Sequence, residues 1–138
     1  KILAYEIGQR FIWDNQAPTT QMLGRFQPWH EGHTKLFTKS LTLTGQVVIM
    51  VREVYGIDGN HSDNPFGELE AIGIINAELS KAGYVEGREY WIMAVPNIVD
   101  VSYGRRVGYT FTEHDLGEDV HVISSTKIRE QMRQEGKL

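Results

Sequence analysis

The apolar positions of this 138-residue chain follow two periods that alternate along most of its length. Short apolar runs are typical of buried strands, and apolar residues at every third or fourth position are typical of amphipathic helices. Leu69, Ile72, Ile75 and Leu79, for example, share one face of a predicted helix, while Trp91 is expected in the core. The pattern predicts strands at 22–26, 47–51, 90–95 and 120–123, and helices at 33–43, at 66–82 and after residue 124.

This order of elements predicts an α/β fold, with a Rossmann-like parallel sheet and flanking helices. Ligands of such sheets bind at the carboxyl ends of the strands. Residues 2–7 and 10–13 alternate in polarity around Gly8 and Gln9, which predicts an N-terminal β-hairpin extension. We therefore expect a hairpin and polar linker at 1–20 and one domain at 21–138. The hairpin could extend the sheet or pair with another subunit of a homo-oligomer.

The first candidate for chemistry is the segment GRFQPWHEGH at residues 24–33, between a predicted strand and a helix. His30 and His33 are three residues apart on the first helical turn, so both rings could donate to phosphate oxygens on one side. Gly24 and Gly32 allow close backbone approach, and the helix N-terminus favours an anion. The alternative is that both histidines are ordinary exposed residues at a helix start.

The second candidate is ISSTKIR at residues 123–129, where the last strand gives way to the last helix. Its hydroxyl residues are N-cap types, so they and the free N–H groups form a second anion cradle, with positive charge from the basic residues. The alternative is a capped, solvent-exposed helix with routine charges. The candidate residues here are Ser124, Ser125, Thr126, Lys127 and Arg129.

Residues between the two motifs are candidates for binding a second substrate. In YGRRVGY, at 103–109, Arg105 or Arg106 could bind a phosphate while a tyrosine stacks on a ring. An exposed turn beside a strand edge is an equal alternative. Arg52 directly follows a predicted strand at the ligand edge, where it could bind the acceptor's phosphate or be a solvated strand-end charge. Trp29, beside the first histidine, could line the site.

The sequence gives little support for a metal centre built from acidic residues or cysteine. The spacing of Asp58, Asp63, Glu68 and Glu70 is irregular, which favours solvated loop and helix-start charges, and no protein-held metal is predicted. The chain has no cysteine, which excludes disulfides, thiolate nucleophiles and cysteine metal sites.

Composition favours one compact domain, since 41% of the residues are hydrophobic and 23% charged. A net charge of −4 argues against a dedicated nucleic-acid binder, although clustered arginines could still form a pocket for a small anion. The longest apolar run, 47–51, is far too short for a membrane span, and no secretory signal pattern opens the chain. A cytoplasmic protein without membrane or nucleic-acid partners is expected.

The two motifs resemble the signatures of the HxGH nucleotidylyltransferase superfamily, also called cytidylyltransferase-like. GRFQP is most similar to the archaeal-type nicotinamide mononucleotide adenylyltransferases, and HSDNPF at 61–66 is similar to the segment after the second strand in that group. The resemblance extends from residue 21 to residue 134, so 21–138 would be a nucleotidylyltransferase domain. Residues 97–109 depart from the archaeal pattern, which leaves the acceptor open.

The resemblance implies a role for each matching position. His30 and His33 would contact the triphosphate and stabilise the transition state at the α-phosphorus, and backbone N–H groups near Arg25 and Phe26 would lie against the α-phosphate. The β- and γ-phosphates would be held by Ser124, Ser125, Thr126 and Arg129. An acceptor's phosphate oxygen would attack in line and release pyrophosphate, with Mg²⁺ carried by the triphosphate.

This chemistry agrees with the residues themselves, because nucleotidyl transfer needs positioned donors and cations but no side-chain nucleophile. The sequence therefore predicts transfer of an NMP group, most favourably AMP from ATP, to a small phosphorylated acceptor such as nicotinamide mononucleotide. One alternative is cytidylyl transfer from CTP to a polyol or aminoalcohol phosphate. Another is a nucleotide-binding module without catalysis.

Overall fold

The computed structural model describes residues 6–7, 10–57, 63–105, 108–117 and 125–137. Within these residues strands and helices alternate along the α/β part, and a short hairpin precedes it. The elements in chain order are β1 Glu6–Ile7, β2 Arg10–Phe11, β3 Thr20–Gly24, α1 Glu31–Thr44, β4 Val47–Arg52, α2 Glu68–Lys81, β5 Tyr90–Val95 and α3 Ser125–Gln134.

The central sheet of the described chain has three parallel strands in the order β3-β4-β5. Residue pairs run from Thr20 and Val47 at one end to Gly24 and Val51 at the other, so the strands start and end together. The connections from β3 to β4 and from β4 to β5 each contain a helix, as parallel pairing requires. The predicted Rossmann-like parallel sheet with flanking helices is confirmed. The strand predicted at 120–123 lies outside the described residues.

The core lies on one face of this sheet. Val47, Ile49 and Val51 of β4 are fully buried there and belong to one cluster with Phe37 of α1 and Ile75 of α2. Their alternation with less buried neighbours is the period of a strand packed on one side. Both connecting helices are thereby fixed against the middle strand, which also fixes the loops at the strands' carboxyl ends.

Two burial predictions are wrong. Trp91 is 46% exposed, because Tyr90 and Ile92 take the inward positions of β5 and the residue between them points outward, where its ring lies 6.4 Å from that of Trp13. Leu69 is 79% exposed, because it sits in the first turn of α2 outside the face formed by residues 71, 75 and 79.

The N-terminal hairpin is confirmed in a shorter form, with Glu6 opposite Phe11 and Ile7 opposite Arg10. The predicted linker is tied to the sheet, because the Gln46 amide donates to the Asp14 carbonyl at 2.7 Å and to Thr19 Oγ1 at 2.7 Å. The division of the chain at residues 20 and 21 stays a prediction. None of the helices in the described ranges is both long and apolar enough to cross a membrane.

Candidate active site

The loop that leaves β3 turns more sharply than its apolar pattern predicts. The strand ends at Gly24, because Phe26 has a φ of 51° and its ring folds back over the glycine. A Cβ atom at Gly24 would lie 2.9 Å from Phe26 Cζ, so a larger residue would force the Phe26 ring to shift. Gly24 therefore lets the ring pack over the end of β3.

Helix α1 begins with a capping box made by two histidines. His30 is the N-cap, and its Nδ1 accepts from the Gly32 backbone N–H at 3.0 Å. His33 reaches back, and its Nδ1 accepts from the His30 backbone N–H at 3.0 Å. Each ring thus satisfies a donor that the helix start would otherwise leave unpaired. The Gly32 N–H is bound by this cap.

The capping bonds set the protonation of both rings. A nitrogen that accepts a hydrogen bond carries no proton, so the neutral His30 and His33 rings hold their proton on Nε2. Burial lowers the pKa of His30, and burial followed by repulsion from His30 lowers the pKa of His33 to about 3. At neutral pH the two side chains therefore present a pair of uncharged Nε2–H donors, and within the described chain neither Nε2 is engaged.

Aromatic packing fixes the orientation of the His33 ring. Its centroid lies 4.0 Å from that of His30, 5.1 Å from that of Phe26 and 5.3 Å from that of Trp29. Trp29 is only 3% exposed, and its indole N–H donates to Thr34 Oγ1 at 2.8 Å. The tryptophan predicted to line an acceptor site thus lies in the core, where it supports the histidine.

A buried glutamine joins this loop to the segment before α2. Gln27 is 2% exposed, and its carboxamide bonds both backbone groups of Phe66: Nε2 donates to the carbonyl at 3.0 Å, and Oε1 accepts from the N–H at 2.9 Å. Nearby, Arg25 Nη1 donates to Oδ1 of the buried Asn64 at 2.8 Å. The loop after β3 and residues 64–66 therefore form one hydrogen-bonded unit.

Arg129 brings the second motif onto the same loop. Its side chain is 3% exposed, Nη1 donates to the Gln27 carbonyl at 2.6 Å, and Nη2 lies 3.6 Å from Asp63 Oδ1. Nη2 also donates to Thr126 Oγ1 at 3.3 Å. Arg25 and Arg129, from opposite ends of the chain, are thus both anchored to the unit made by the loop and residues 63–66.

The other residues of the second motif are placed less fully. The last helix begins at Ser125, as the capping pattern predicts, and Thr126 and Lys127 are exposed in its first turn. Ser124 lies outside the described residues.

The predicted acceptor residues in the described chain lie on different segments. Arg52 is at the carboxyl end of β4, where Nε and Nη2 both donate to Asn97 Oδ1, at 3.2 and 2.8 Å. Arg105 is exposed in the loop after β5, and Arg106 is outside the described residues.

A groove of about 1480 Å³ lies along β3, between α1 and the loop after β5, and extends from residues 18–20 at the amino end of the strand to His33. Residues 24–26, Tyr103 and Tyr109 also line it. Both tyrosines are more than half exposed. Among the described residues no three His, Asp or Glu side chains are grouped so that they could hold a metal ion.

No protein-family model matches the chain, and no curated protein matches its sequence. Solved structures similar to it include the bifunctional NMN adenylyltransferase/ADP ribose pyrophosphatase from Francisella tularensis, at 24% identity and a TM-score of 0.51, covering 58% of this chain and 22% of that one. The structure of that bifunctional protein with AMP and a Mn ion is 22% identical, has a TM-score of 0.49 and covers 58% of this chain and 23% of that one.

The likeness to the first of these structures shows the fold alone. The match of the first structure supports the open α/β sheet derived above, and this chain spans only 22% of that protein's length.

Two polar residues that organise the site were missed by the sequence argument. Gln27 lay within the first motif and Asn64 within the segment similar to the archaeal group, but neither was given a role. Their burial has no signal in the apolar pattern, because glutamine and asparagine are usually exposed. The resemblance of residues 61–66 was the available hint that this segment belongs to the site.

Proposed function

We propose that this chain is a nucleotidylyltransferase that transfers AMP from MgATP to a small phosphorylated acceptor and releases pyrophosphate. One observation carries the proposal: His30 and His33 form a rigid pair of neutral Nε2–H donors at the start of α1, beside the carboxyl end of β3. Ligands of open α/β sheets bind at this edge, and helix N-termini favour phosphate.

The proposed step is an in-line displacement at the α-phosphorus. An oxygen of the acceptor's phosphate forms the new P–O bond, the bond to the β-phosphate's bridging oxygen breaks, and the electron pair leaves with pyrophosphate. Charge grows on the oxygens around phosphorus, and the two Nε2–H groups donate to them. Because these rings need not reorganise during the step, each donor is worth roughly a hundredfold in rate.

Positive charge for the triphosphate comes from both motifs. Arg25 is held by Asn64, and Arg129 is held by the Gln27 backbone carbonyl and lies near Asp63. We assign them to the phosphate oxygens, with a phosphate replacing the long 3.6 Å contact between Arg129 and Asp63.

The start of α3 extends this phosphate site. Its hydroxyl and basic residues, Ser124, Ser125, Thr126 and Lys127, would surround the terminal phosphates. Mg²⁺ would arrive with the triphosphate, because it keeps several waters and prefers phosphate oxygens to a dedicated protein cage.

For the acceptor we propose nicotinamide mononucleotide first. The motif resemblance supports it, and NMN is also named in the description of the Francisella protein. Tyr103 and Tyr109 share a groove with His33 and offer exposed rings for stacking on an aromatic base. Arg52, Arg105 and Arg106 are the proposed partners of the acceptor's phosphate.

Pyrophosphate release tests the proposal. The protein is incubated with MgATP or MgCTP and with nicotinamide mononucleotide, glycerol 3-phosphate or a sugar phosphate, and each triphosphate without acceptor serves as control. We expect acceptor-dependent release with ATP and nicotinamide mononucleotide. Release with CTP and a polyol phosphate would show that these are the substrates in place of ATP and nicotinamide mononucleotide. Triphosphate binding without release from any pair would make the chain a binding module.

A further inference from the structure

Gln27 connects separate parts of the candidate site through hydrogen bonds. Its carboxamide bonds both backbone groups of Phe66, and its backbone carbonyl oxygen accepts from Arg129 Nη1 at 2.6 Å. We propose that Gln27 is a positioning residue that assembles the triphosphate site from three separate parts of the chain: the loop after β3, residues 63–66 and helix α3. This inference rests on the proposed function for its kinetic consequence.

The two arginines depend on this assembly. Arg25 is held by Asn64, two residues before the Phe66 backbone that Gln27 binds. Arg129 is held by the Gln27 carbonyl and lies near Asp63. If the Gln27 amide is removed, the Phe66 backbone is no longer tied to the loop by that side chain, so Asn64 and Asp63, which contact the two guanidinium groups, are held less firmly. The Gln27 backbone carbonyl still accepts from Arg129.

The histidines do not depend on it. His30 and His33 are fixed by their own capping box and by the rings of Phe26 and Trp29. Loss of the Gln27 amide should therefore weaken binding of the triphosphate in the ground state and the transition state alike, and leave the donors of the chemical step in place. Such a change raises KM and spares kcat.

The test compares Gln27→Met with Gln46→Met. Gln46 is also buried, at 4% exposure, and its amide also bonds both backbone groups of one residue, Asp14, but it lies before β4 at the opposite end of the sheet. We expect Gln27→Met to raise the KM for MgATP about tenfold with kcat within twofold, the loss of roughly one buried hydrogen bond's worth of binding. Gln46→Met should leave both constants near the wild-type values.

Two kinetic results would overturn the proposal. One is a fall in kcat with an unchanged KM, and the other is an equal effect of both variants, which would reduce Gln27 to a general contributor to stability. If Gln27→Met does not fold, Gln27→Asn takes its place. Its neutral carboxamide is one methylene too short to bond both backbone groups of Phe66, and a KM increase of about threefold to tenfold is expected.

Amide hydrogen exchange separates this inference from the proposed function. In Gln27→Met the Phe66 N–H loses its acceptor, so its exchange should accelerate at least tenfold relative to the amides of Ile75 and Leu79 in α2. If no substrate pair is turned over, faster exchange at Phe66 in Gln27→Met would still support the link between Gln27 and Phe66, although the proposed function would have failed. Unchanged exchange at Phe66 would overturn the link whatever the activity.

Discussion

The amino and carboxyl ends of the central sheet use the same kind of side chain in different surroundings. A buried glutamine stands at each: Gln46 directly before β4, and Gln27 three residues after β3. Each uses its carboxamide to hold both backbone groups of a distant residue, as an added strand would. Fixing a loop to the sheet is therefore common to both ends.

The ends differ in which polar groups remain for a ligand. At the amino end, Gln46 binds Asp14 and Thr19, and Thr44 binds Thr20 and the Gln46 carbonyl, so the groups satisfy one another. At the carboxyl end, the capping box engages Nδ1 of each histidine, and among the described residues neither Nε2–H group has a partner. A network whose polar groups bond one another stabilises the fold. Hydrogen-bond donors that keep no internal partner on a rigid backbone are suited to bind a ligand.

The largest effect should come from removing one of these donors. We expect His33→Ala to cut acceptor-dependent pyrophosphate release about a hundredfold or more. The helix cap is lost as well, so the free energy of unfolding should fall by about 1 to 2 kcal/mol, with the fold retained. Steady-state kinetics and chemical denaturation measure the two effects.

Thr42→Ala is the matched control. It lies on the same helix near its other end, is exposed, and its hydroxyl donates only to the Lys39 carbonyl. Its turnover should equal that of the wild type. Wild-type turnover in His33→Ala would remove the proposed site.

A smaller effect is expected from Arg129→Lys. A lysine lacks the fork that reaches the Gln27 carbonyl and Thr126 together, so the KM for the triphosphate should rise about tenfold. Arg133→Lys, an exposed position on the same helix, should change little. Equal behaviour of the two variants in a titration with MgATP would contradict the role of the buried guanidinium at the carboxyl end.

The histidine pair also makes stability depend on pH. Because the pKa of His33 is lowered from 6.5 to about 3, the unfolded chain binds a proton below pH 6.5 that the folded chain does not. The contribution of His33 to stability is therefore complete above pH 6.5 and is lost as pH falls toward 3. The lowered pKa of His30 acts in the same direction.

Below pH 6 the slope should approach about 1.4 kcal/mol per pH unit for His33. Urea denaturation of the wild type and of His33→Asn at several pH values gives the free energy of unfolding of each protein. The difference between the two slopes with pH measures the contribution of His33, because the carboxylates titrate in both proteins. Parallel curves for the two proteins would show that the His33 ring is not held neutral by the fold.

Much of the fold could be predicted from the sequence because strand and helix periods are local properties. Residues 90–95 were predicted to the residue, and the parallel sheet followed from the order of elements. Failures occurred where one side chain decides the boundary. The strand to residue 26 stops at Gly24 because the Phe26 ring turns back, and α1 starts at Glu31 because His30, outside the usual set of N-cap residues, caps it.

The sequence predicts a location for the candidate site but not the hydrogen bonds that connect its parts. Two motifs at strand-to-helix junctions indicate where a ligand edge lies, since a parallel sheet gathers its carboxyl ends. The roles of Gln27 and Asn64 depend on contacts between residues 39 apart, which no local pattern encodes. The acceptor side is the least constrained, because Arg52 and Arg105 lie on separate segments.

The smallest effects come from one substitution made at each end of α1. Near the start of α1, at the carboxyl end of the sheet, Thr34 Oγ1 accepts from the indole of Trp29. At the last residue of α1, at the amino end of the sheet, Thr44 Oγ1 bonds Thr20 and the Gln46 carbonyl. Threonine to valine keeps shape and branching, so each variant should lose about 1 kcal/mol of unfolding free energy.

Turnover should separate these two variants although their stabilities match. Thr34→Val leaves the Trp29 indole N–H without its acceptor, and Trp29 packs against His33, so a slight shift of that ring should lower kcat roughly threefold. Thr44→Val should keep the wild-type kcat, because its bonds lie at the end that holds no proposed donor. A lowered kcat in Thr44→Val alone would place the chemistry at the amino end and reverse the comparison.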